Sequence, residues 1–147
     1  MITNSAAETM KLGSLLAGHL KKGMTVLLKG DLASGKTTFT KGVGKGLHIR
    51  QPISSPTFNI LKIYEGDLTL YHIDAYRLEN SEYDLGFDEF LEDGVAFIEW
   101  PEYYERYLPK EYLEISFTYL DDDTREIAFH PVGKAYEELY EAFQGDL

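Results

Sequence analysis

The chain has 147 residues, of which 44% are hydrophobic and 27% charged, a balance typical of one compact globular domain over residues 1–147. It has no cysteine, which excludes disulfide scaffolds, cysteine nucleophiles and thiolate metal sites, and no apolar run approaches the ~20 residues that a membrane-spanning helix needs. The net charge of −11 disfavours direct binding of DNA or RNA, because phosphate neutralisation needs clustered cations.

The charge is unevenly distributed along the chain. Residues 1–50 carry eight basic and two acidic side chains, whereas residues 51–100 carry two and eleven and residues 101–147 carry four and twelve. The basic first third predicts a local anion site. The acidic remainder keeps the protein soluble, holds a divalent cation or faces a basic partner, and composition leaves these alternatives open. The N-terminus lacks a basic segment followed by an apolar stretch, so no secretory signal is predicted and a cytoplasmic location is expected.

The predicted elements alternate helices with apolar strands. The first helix begins at a capping box formed by Ser5 and Glu8, and its apolar spacing predicts that it ends at Gly23. The elements that follow are a buried strand over residues 24–28, a glycine-bounded loop over 30–35, a helix over 36–46, strands over 58–64 and 68–74, an acidic helix over 81–92, a buried strand over 95–100, a hairpin over 111–130 with its turn at 121–124, and a helix over 134–143. This order predicts an α/β fold with antiparallel hairpins at the edges of the sheet.

One motif dominates the sequence. Residues 30–37, GDLASGKT, fit the phosphate-binding pattern G-x-x-x-x-G-K-[ST] and lie between a predicted strand and a predicted helix, as that motif requires. Its glycines let the backbone curl, so that successive N–H groups and the helix N-terminus form a nest for a phosphate. The residues predicted to bind ATP here are Gly30, Ala33, Ser34, Gly35, Lys36, Thr37 and Thr38. The fold expected is therefore a P-loop NTPase-like three-layer sandwich with a mixed, mainly parallel sheet.

Three side chains at the end of this motif and directly after it have a predicted task. Lys36 places its charge against the β- and γ-phosphates, the Thr37 hydroxyl coordinates Mg²⁺, and Thr38 donates to the α-phosphate.

Two acidic residues end apolar strands and are candidates to complete the site. Asp74 and Glu99 each follow such a run, and the ligands of open α/β sheets gather at the carboxyl ends of strands. One would hold the Mg²⁺, directly or through water, and the other would orient the attacking water. Both are therefore candidate catalytic residues with Lys36 and candidate metal ligands with Thr37. Which carboxylate takes which role stays open, and each is also of a type that caps a turn.

The remaining candidates are a histidine, a tryptophan and the arginines. His72 lies two residues before Asp74 on the same strand face, where a hydrogen-bonded structural histidine is favoured over a histidine–aspartate metal pair. Trp100 either packs beside the nucleotide or covers the core. None of the four arginines (Arg50, Arg77, Arg106 and Arg125) lies in a segment that predicts an arginine finger.

Four segments, in this order, resemble the TsaE (YjeE) family. They are the phosphate loop, residues 55–58 (SPTF), residues 72–78 (HIDAYRL) and residues 98–102 (IEWPE), and the likeness covers residues from about 5 to 130. One position departs from the family pattern: Ala33 stands where the family usually has glycine, and alanine restricts φ.

The resemblance implies a Mg²⁺-dependent bacterial ATPase, with ATP and ADP as its nucleotides, that is required for N6-threonylcarbamoylation of adenosine 37 in tRNAs that read ANN codons. It implies work with the TsaB–TsaD complex, contact with tRNA only through those partners, and no role at membranes or DNA. Carried over by position, it places Thr9 and Trp100 near the nucleotide, Lys36 and Thr38 at the phosphates, Thr37 and Glu99 at the magnesium, Asp74 among the residues needed for activity, and Thr57 in a switch that senses the γ-phosphate.

Three activities remain to be distinguished. Slow ATP hydrolysis stimulated by partners is favoured. The loop chemistry also permits a small-molecule kinase, although 147 residues leave little room for a lid and an acceptor pocket. The third is a nucleotide-gated binding module with negligible hydrolysis.

Overall fold

Seven strands form one mixed sheet in the residues that the computed structural model describes, which are 1–31, 33–54, 60–78 and 91–147, without the side chains of Arg77, Leu78 and Leu91. The strands are β1 (Ile2–Thr3), β2 (Thr25–Lys29), β3 (Leu61–Tyr64), β4 (Thr69–Asp74), β5 (Gly94–Glu99), β6 (Tyr112–Tyr119) and β7 (Arg125–Val132). Their spatial order is β1-β7-β6-β2-β5-β4-β3. The pairs β6–β2, β2–β5 and β5–β4 are parallel, whereas the outer pairs are antiparallel. The predicted α/β fold with antiparallel edges is confirmed.

Different layers cover the two faces of the sheet. The helices α1 (Ala6–Ala17), α2 (Lys36–Gly46) and α3 (Lys134–Gln144) contribute to one core cluster with alternate residues of the strands, such as Val26 and Leu28. Leu27 lies between those two residues and points to the opposite face. There it packs with Tyr104 of a 3₁₀ segment, Pro101–Tyr107, which covers that face.

The helices in the described ranges are 11 or 12 residues long, and none of them is both long and apolar enough to cross a membrane.

The first helix begins where predicted and ends earlier than predicted. The Ser5 hydroxyl accepts a hydrogen bond from the Glu8 N–H at 3.1 Å, and the Glu8 carboxylate accepts one from the N–H of Asn4. The prediction that this helix continues to Gly23 is wrong, because it ends at Ala17. Residues 18–20 instead donate to carbonyls three positions back, and this tighter turn keeps Leu20 buried. The apolar spacing therefore continues beyond Ala17, so the sequence pattern does not show where the helix ends.

Other predicted elements agree with the structure within a few residues. The second helix spans Lys36–Gly46, the hairpin is β6 and β7, and the last helix is Lys134–Gln144. Strand β1 was not predicted, since its two residues gain their conformation only by pairing with β7. The predicted strand over 58–64 begins outside the described residues. The predicted acidic helix over 81–92 lies almost entirely outside them. Residues 91 and 92 belong to a 3₁₀ turn, Leu91–Asp93.

The parallel register brings the predicted site residues to one edge of the sheet. Leu28, two residues before the phosphate loop, pairs with Glu99, and Glu99 pairs on its other side with Asp74. The carboxyl ends of β2, β5 and β4 therefore meet beside the start of α2.

Two glycines allow α1 and α2 to cross in close contact. A Cβ on Gly42 would lie 1.9 Å from the carbonyl oxygen of Met10, and a Cβ on Gly13 would lie 2.2 Å from that of Phe39. Both obstacles are backbone atoms, which cannot move aside unless the helices separate. Because α2 begins in the phosphate loop, this crossing fixes the loop relative to α1.

The substitution Gly42→Ala should lower the free energy of unfolding by about 1–3 kcal/mol, because the added methyl group overpacks the helix crossing. The measurement is urea denaturation followed by circular dichroism. Gly18→Ala is the control. Gly18 has a right-handed φ of −65°, and a Cβ there would lie 3.6 Å from its nearest neighbour, the Leu15 carbonyl oxygen. Equal stability for both variants would contradict the close crossing.

Candidate functional site

Among the described residues of the phosphate loop, three have a left-handed φ. Gly30 has a φ of 151°, Ala33 of 62° and Gly35 of 108°. Helix α2 then begins at Lys36, and the N–H of Phe39 donates to the carbonyl of Gly35 at 2.9 Å. Glycine adopts a positive φ freely, whereas alanine does so at a cost of roughly 1–2 kcal/mol. Ala33 is therefore a strained position of the loop.

Lys36 carries a buried ammonium group at the start of α2. Its side chain is 5% exposed, and its Nζ has no hydrogen-bond acceptor among the described residues. The Nζ lies 3.8 Å from Glu99 Oε1 and 4.0 Å from the centroid of the Trp100 ring. Burial lowers the pKa of Lys36, and the carboxylate of Glu99 opposes that shift. A desolvated cation with unused donors is suited to receive an anion.

Glu99 reaches the site from the end of β5 and is held by a histidine. Its Oε2 lies 2.6 Å from Nε2 of His72, which is completely buried on the neighbouring strand β4. The predicted hydrogen bond of His72 is confirmed, with Glu99 as its partner. Since Nε2 faces the carboxylate, the Nε2–H tautomer donates this bond, which leaves Nδ1 without a partner among the described residues.

Asp74 lies beside Glu99 in the register, one strand further from the loop. Its Oδ1 accepts a hydrogen bond from the N–H of Tyr76 at 3.1 Å, which caps the 3₁₀ turn Ala75–Leu78. The negative charge of the Asp74 carboxylate also acts on Lys36, where it opposes the lowering of the Lys36 pKa by burial. The turn-capping role considered for this residue is therefore present, at a position from which the charge still reaches the site.

The loop and these side chains surround a cavity of about 300 Å³. The residues that line it are Ala33, Ser34, Gly35, Lys36, Thr37, Thr38, Glu99 and Arg125. A smaller cavity of about 70 Å³ adjoins it and is lined by Ser5, Ala6, Thr9, Gly35, Thr38, Asp122, Asp123 and Arg125. The structure thus brings the predicted residues 33–38 and Glu99 together and places Thr9 next to them, whereas Gly30 does not line either cavity. The Thr9 hydroxyl lies 2.7 Å from that of Thr3.

Larger cavities lie away from the loop. One of about 430 Å³ is bounded by Lys29 and Glu114, which form an ion pair at 2.9 Å. The Lys29 amine therefore already has a carboxylate partner, whereas Lys36 has a buried amine without a hydrogen-bonded acceptor among the described residues. Chemistry rather than volume identifies the cavity at the phosphate loop as the candidate site.

Trp100 directly follows Glu99 and adopts a left-handed conformation with a φ of 57°. Its ring faces the Lys36 amine and has Tyr76 and Tyr103 as aromatic neighbours, with ring centroids 5.6 and 6.5 Å away. Of the two alternatives for this residue, the geometry favours a place at the edge of the phosphate loop over one in the core.

Magnesium would need little from the protein in such a site. The described residues contain no group of three or more His, Asp or Glu side chains placed to hold a metal ion. Mg²⁺ is often held by one or two protein oxygens together with substrate phosphates and waters. A hydroxyl from Thr37 and a carboxylate from Glu99 fit that donor set.

Sequence reasoning missed Arg125, the first residue of β7. Its Nη2 donates to the carbonyl of Ala33 at 3.2 Å, across 92 positions of sequence. No local pattern marks this contact, because only the pairing of β7 with β6 and of β6 with β2 brings the hairpin turn to the loop.

Thr57 and the rest of residues 55–59 lie outside the described residues, so the switch prediction stays a prediction.

Removing the imidazole of His72 should destabilise the fold, because Glu99 would lose the donor to its buried carboxylate. We expect His72→Leu to lower the free energy of unfolding by about 1–3 kcal/mol, and His72→Gln to lower it less, since its amide keeps an N–H at a similar distance. The measurement is urea denaturation with Glu99→Gln as a third variant. A His72→Leu variant as stable as the parent protein would show that the hydrogen bond between His72 and Glu99 does not stabilise the fold.

Comparison with known proteins gives a consistent family. The family model described as "Threonylcarbamoyl adenosine biosynthesis protein TsaE" matches residues 3–127. A Bacillus subtilis (strain 168) protein named "tRNA threonylcarbamoyladenosine biosynthesis protein TsaE" is 46% identical over 141 residues, which cover 95% of this chain and 89% of the relative. A Treponema pallidum (strain Nichols) protein of the same name is 43% identical over 129 residues, which cover 86% of this chain and 96% of the relative.

The fold has a solved counterpart at a similar level of identity. The crystal structure of Bacillus subtilis YdiB superposes with a TM-score of 0.86 at 40% identity, and the match covers 99% of this chain and 93% of that one. The likeness therefore extends over nearly the whole of both chains. The chain belongs to the TsaE family of threonylcarbamoyl adenosine biosynthesis proteins.

Proposed function

We propose that the protein binds Mg²⁺ and ATP at the phosphate loop and hydrolyses the nucleotide slowly, in support of threonylcarbamoyladenosine formation in tRNA. The observation that carries the proposal is the Lys36 ammonium group, which is 5% exposed, has no hydrogen-bonded acceptor among the described residues and lines the cavity formed by the loop. Membership of the TsaE family gives the pathway.

The chain's own groups divide the work of phosphate binding. Main-chain N–H groups of the loop and the N-terminus of α2 receive the β-phosphate, and Lys36 neutralises charge on the β- and γ-oxygens. Thr37 and Glu99 would hold Mg²⁺, which when bound neutralises charge that develops between the β- and γ-phosphates. Asp74 or Glu99 orients the attacking water, and Trp100 closes one side of the phosphate site.

The rate without partners is expected to be low, because the arginine that lines the cavity among the described residues is already hydrogen-bonded to main-chain carbonyls. Arg125 is the arginine at the site, and it uses both terminal nitrogens on main-chain carbonyls. We therefore propose a TsaB–TsaD type complex as the partner that stimulates turnover. The acidic charge of the chain supports a role in which tRNA is contacted by those partners, in the cytoplasm, rather than by this protein.

Replacing Lys36 should weaken nucleotide binding. We expect Lys36→Ala to lower the affinity for MgATP by roughly ten- to hundredfold, because a charge-assisted contact in a buried site is worth about 1.5–3 kcal/mol. Isothermal titration calorimetry with ATP and ADP, with and without Mg²⁺, is the measurement. Lys41→Ala is the matched control, since Lys41 is exposed on the same helix. Absence of nucleotide binding by the folded parent protein would refute the proposal.

Replacing Glu99 should separate binding from turnover. We expect Glu99→Gln to retain ATP binding and to lose at least about tenfold in phosphate release, because it removes a charge that holds the metal or orients water. Phosphate release is measured with and without the partner complex, together with transfer of labelled γ-phosphate. Equal turnover in both conditions would remove the claim of stimulation, and transfer to a metabolite instead of water would favour a kinase. Full biological function of Glu99→Gln would favour a binding module.

A further inference from the structure

We propose that Arg125 is a positioning residue of the nucleotide site, which holds the phosphate loop in its anion-binding conformation before a nucleotide arrives. This inference rests on the proposed nucleotide binding for its functional consequence, although the contact itself is a property of the free protein. It assigns a role to a residue outside the loop motif and outside the carboxylates at the strand ends.

The guanidinium group joins two parts of the chain that are far apart in sequence. Its Nη1 donates to the carbonyls of Asp121 and Thr124, at 2.6 and 3.1 Å, which lie in the turn between β6 and β7. Its Nη2 donates to the carbonyl of Ala33 at 3.2 Å. A planar fork with donors in fixed directions suits such bridging, whereas a lysine ammonium does not reproduce that geometry.

The loop needs this support at the residue that Arg125 contacts. Ala33 has a φ of 62°, and an alanine prefers the right-handed over the left-handed region by on the order of tenfold. The hydrogen bond to its carbonyl is made in the observed conformation, so it shifts the population of the loop toward that conformation. A glycine at this position would have no such preference to overcome.

Packing fixes the arginine from both sides. A Cβ built on Gly35 would lie 3.5 Å from Arg125 Cγ, so the aliphatic stem covers the last residue of the loop. The guanidinium carbon lies 4.7 Å from the ring centroid of Tyr119, whose hydroxyl donates to Asp122 at 2.5 Å. The arginine is therefore held in place by the hairpin, and it transmits the position of the hairpin to the loop.

One donor of the arginine remains unused. Its Nε is buried and has no acceptor among the described residues, while the side chain lines both the larger and the smaller cavity of the site. Because that N–H is buried, it offers a nucleotide no direct contact in this conformation. Arg125 thus stands between the half of the site that holds phosphates and the half that adjoins Thr9.

The first test measures nucleotide affinity by calorimetry with MgADP. We expect Arg125→Gln to bind on the order of tenfold more weakly than the parent, and Arg125→Lys to fail to restore binding, because retained charge without the fork does not hold the loop. Arg50→Gln, which removes the same charge at an exposed position, should bind like the parent. Thermal melting checks that every variant is folded. Parent-like affinity of Arg125→Gln or Arg125→Lys would overturn the inference.

The second test asks whether the effect acts through Ala33. Because glycine removes the conformational preference, Ala33→Gly should restore most of the affinity that Arg125→Gln loses, while having little effect in the parent. If Arg125→Gln lost the same affinity with and without the Ala33→Gly substitution, Arg125 would act on the nucleotide or the fold instead of the loop, and the inference would be overturned.

A third measurement needs no nucleotide and so separates this inference from the proposed function. Amide hydrogen exchange of peptides that span residues 30–38 should be faster in nucleotide-free Arg125→Gln than in the parent, with unchanged exchange in β5. Unchanged exchange in the loop would overturn the inference. Faster exchange in a protein whose parent binds no nucleotide would refute the proposed function and leave the positioning role in place.

Discussion

A desolvated ammonium group governs the chemistry of this molecule. The amine of Lys36 lies 3.8 Å from one carboxylate oxygen of Glu99 and faces the ring of Trp100, with no hydrogen-bonded acceptor among the described residues. Burying a cation in this way is unfavourable, and the nearby negative charges only partly compensate for it. In the proposed function, a nucleotide phosphate supplies the missing acceptors, so an interaction that is unfavourable in the free protein becomes favourable on binding.

Three separate devices hold that group in position. The parallel register of β2, β5 and β4 places the loop beside Glu99 and Asp74. The bond from His72 fixes the direction of the Glu99 carboxylate. The close crossing of α1 and α2 at Gly42 then anchors the helix whose first residue is Lys36. Because the first two contacts lie on the parallel strands and the third lies between α1 and α2, the site depends on the sheet and on the helix crossing as well as on the loop.

The antiparallel half of the sheet contributes through its hairpin. Strands β6 and β7 extend the sheet on the side of β2, and their turn reaches back to the phosphate loop through Arg125. Residues of the hairpin therefore line one side of the site, in addition to extending the sheet. Because Ala33 has a positive φ, such outside support matters more at this position than it would at a glycine.

The α/β fold, the phosphate-loop motif, the start of α2 at Lys36 and the two acids at strand ends could be predicted from the amino-acid sequence. These features follow from local signals, such as glycine spacing, capping residues and apolar runs, which act within a few residues along the chain. Local signals do not contain the end of α1 at Ala17, the pairing of His72 with Glu99 or the approach of Arg125 to Ala33. Strand order and helix crossing bring those groups together, and both depend on contacts between residues that are distant in sequence.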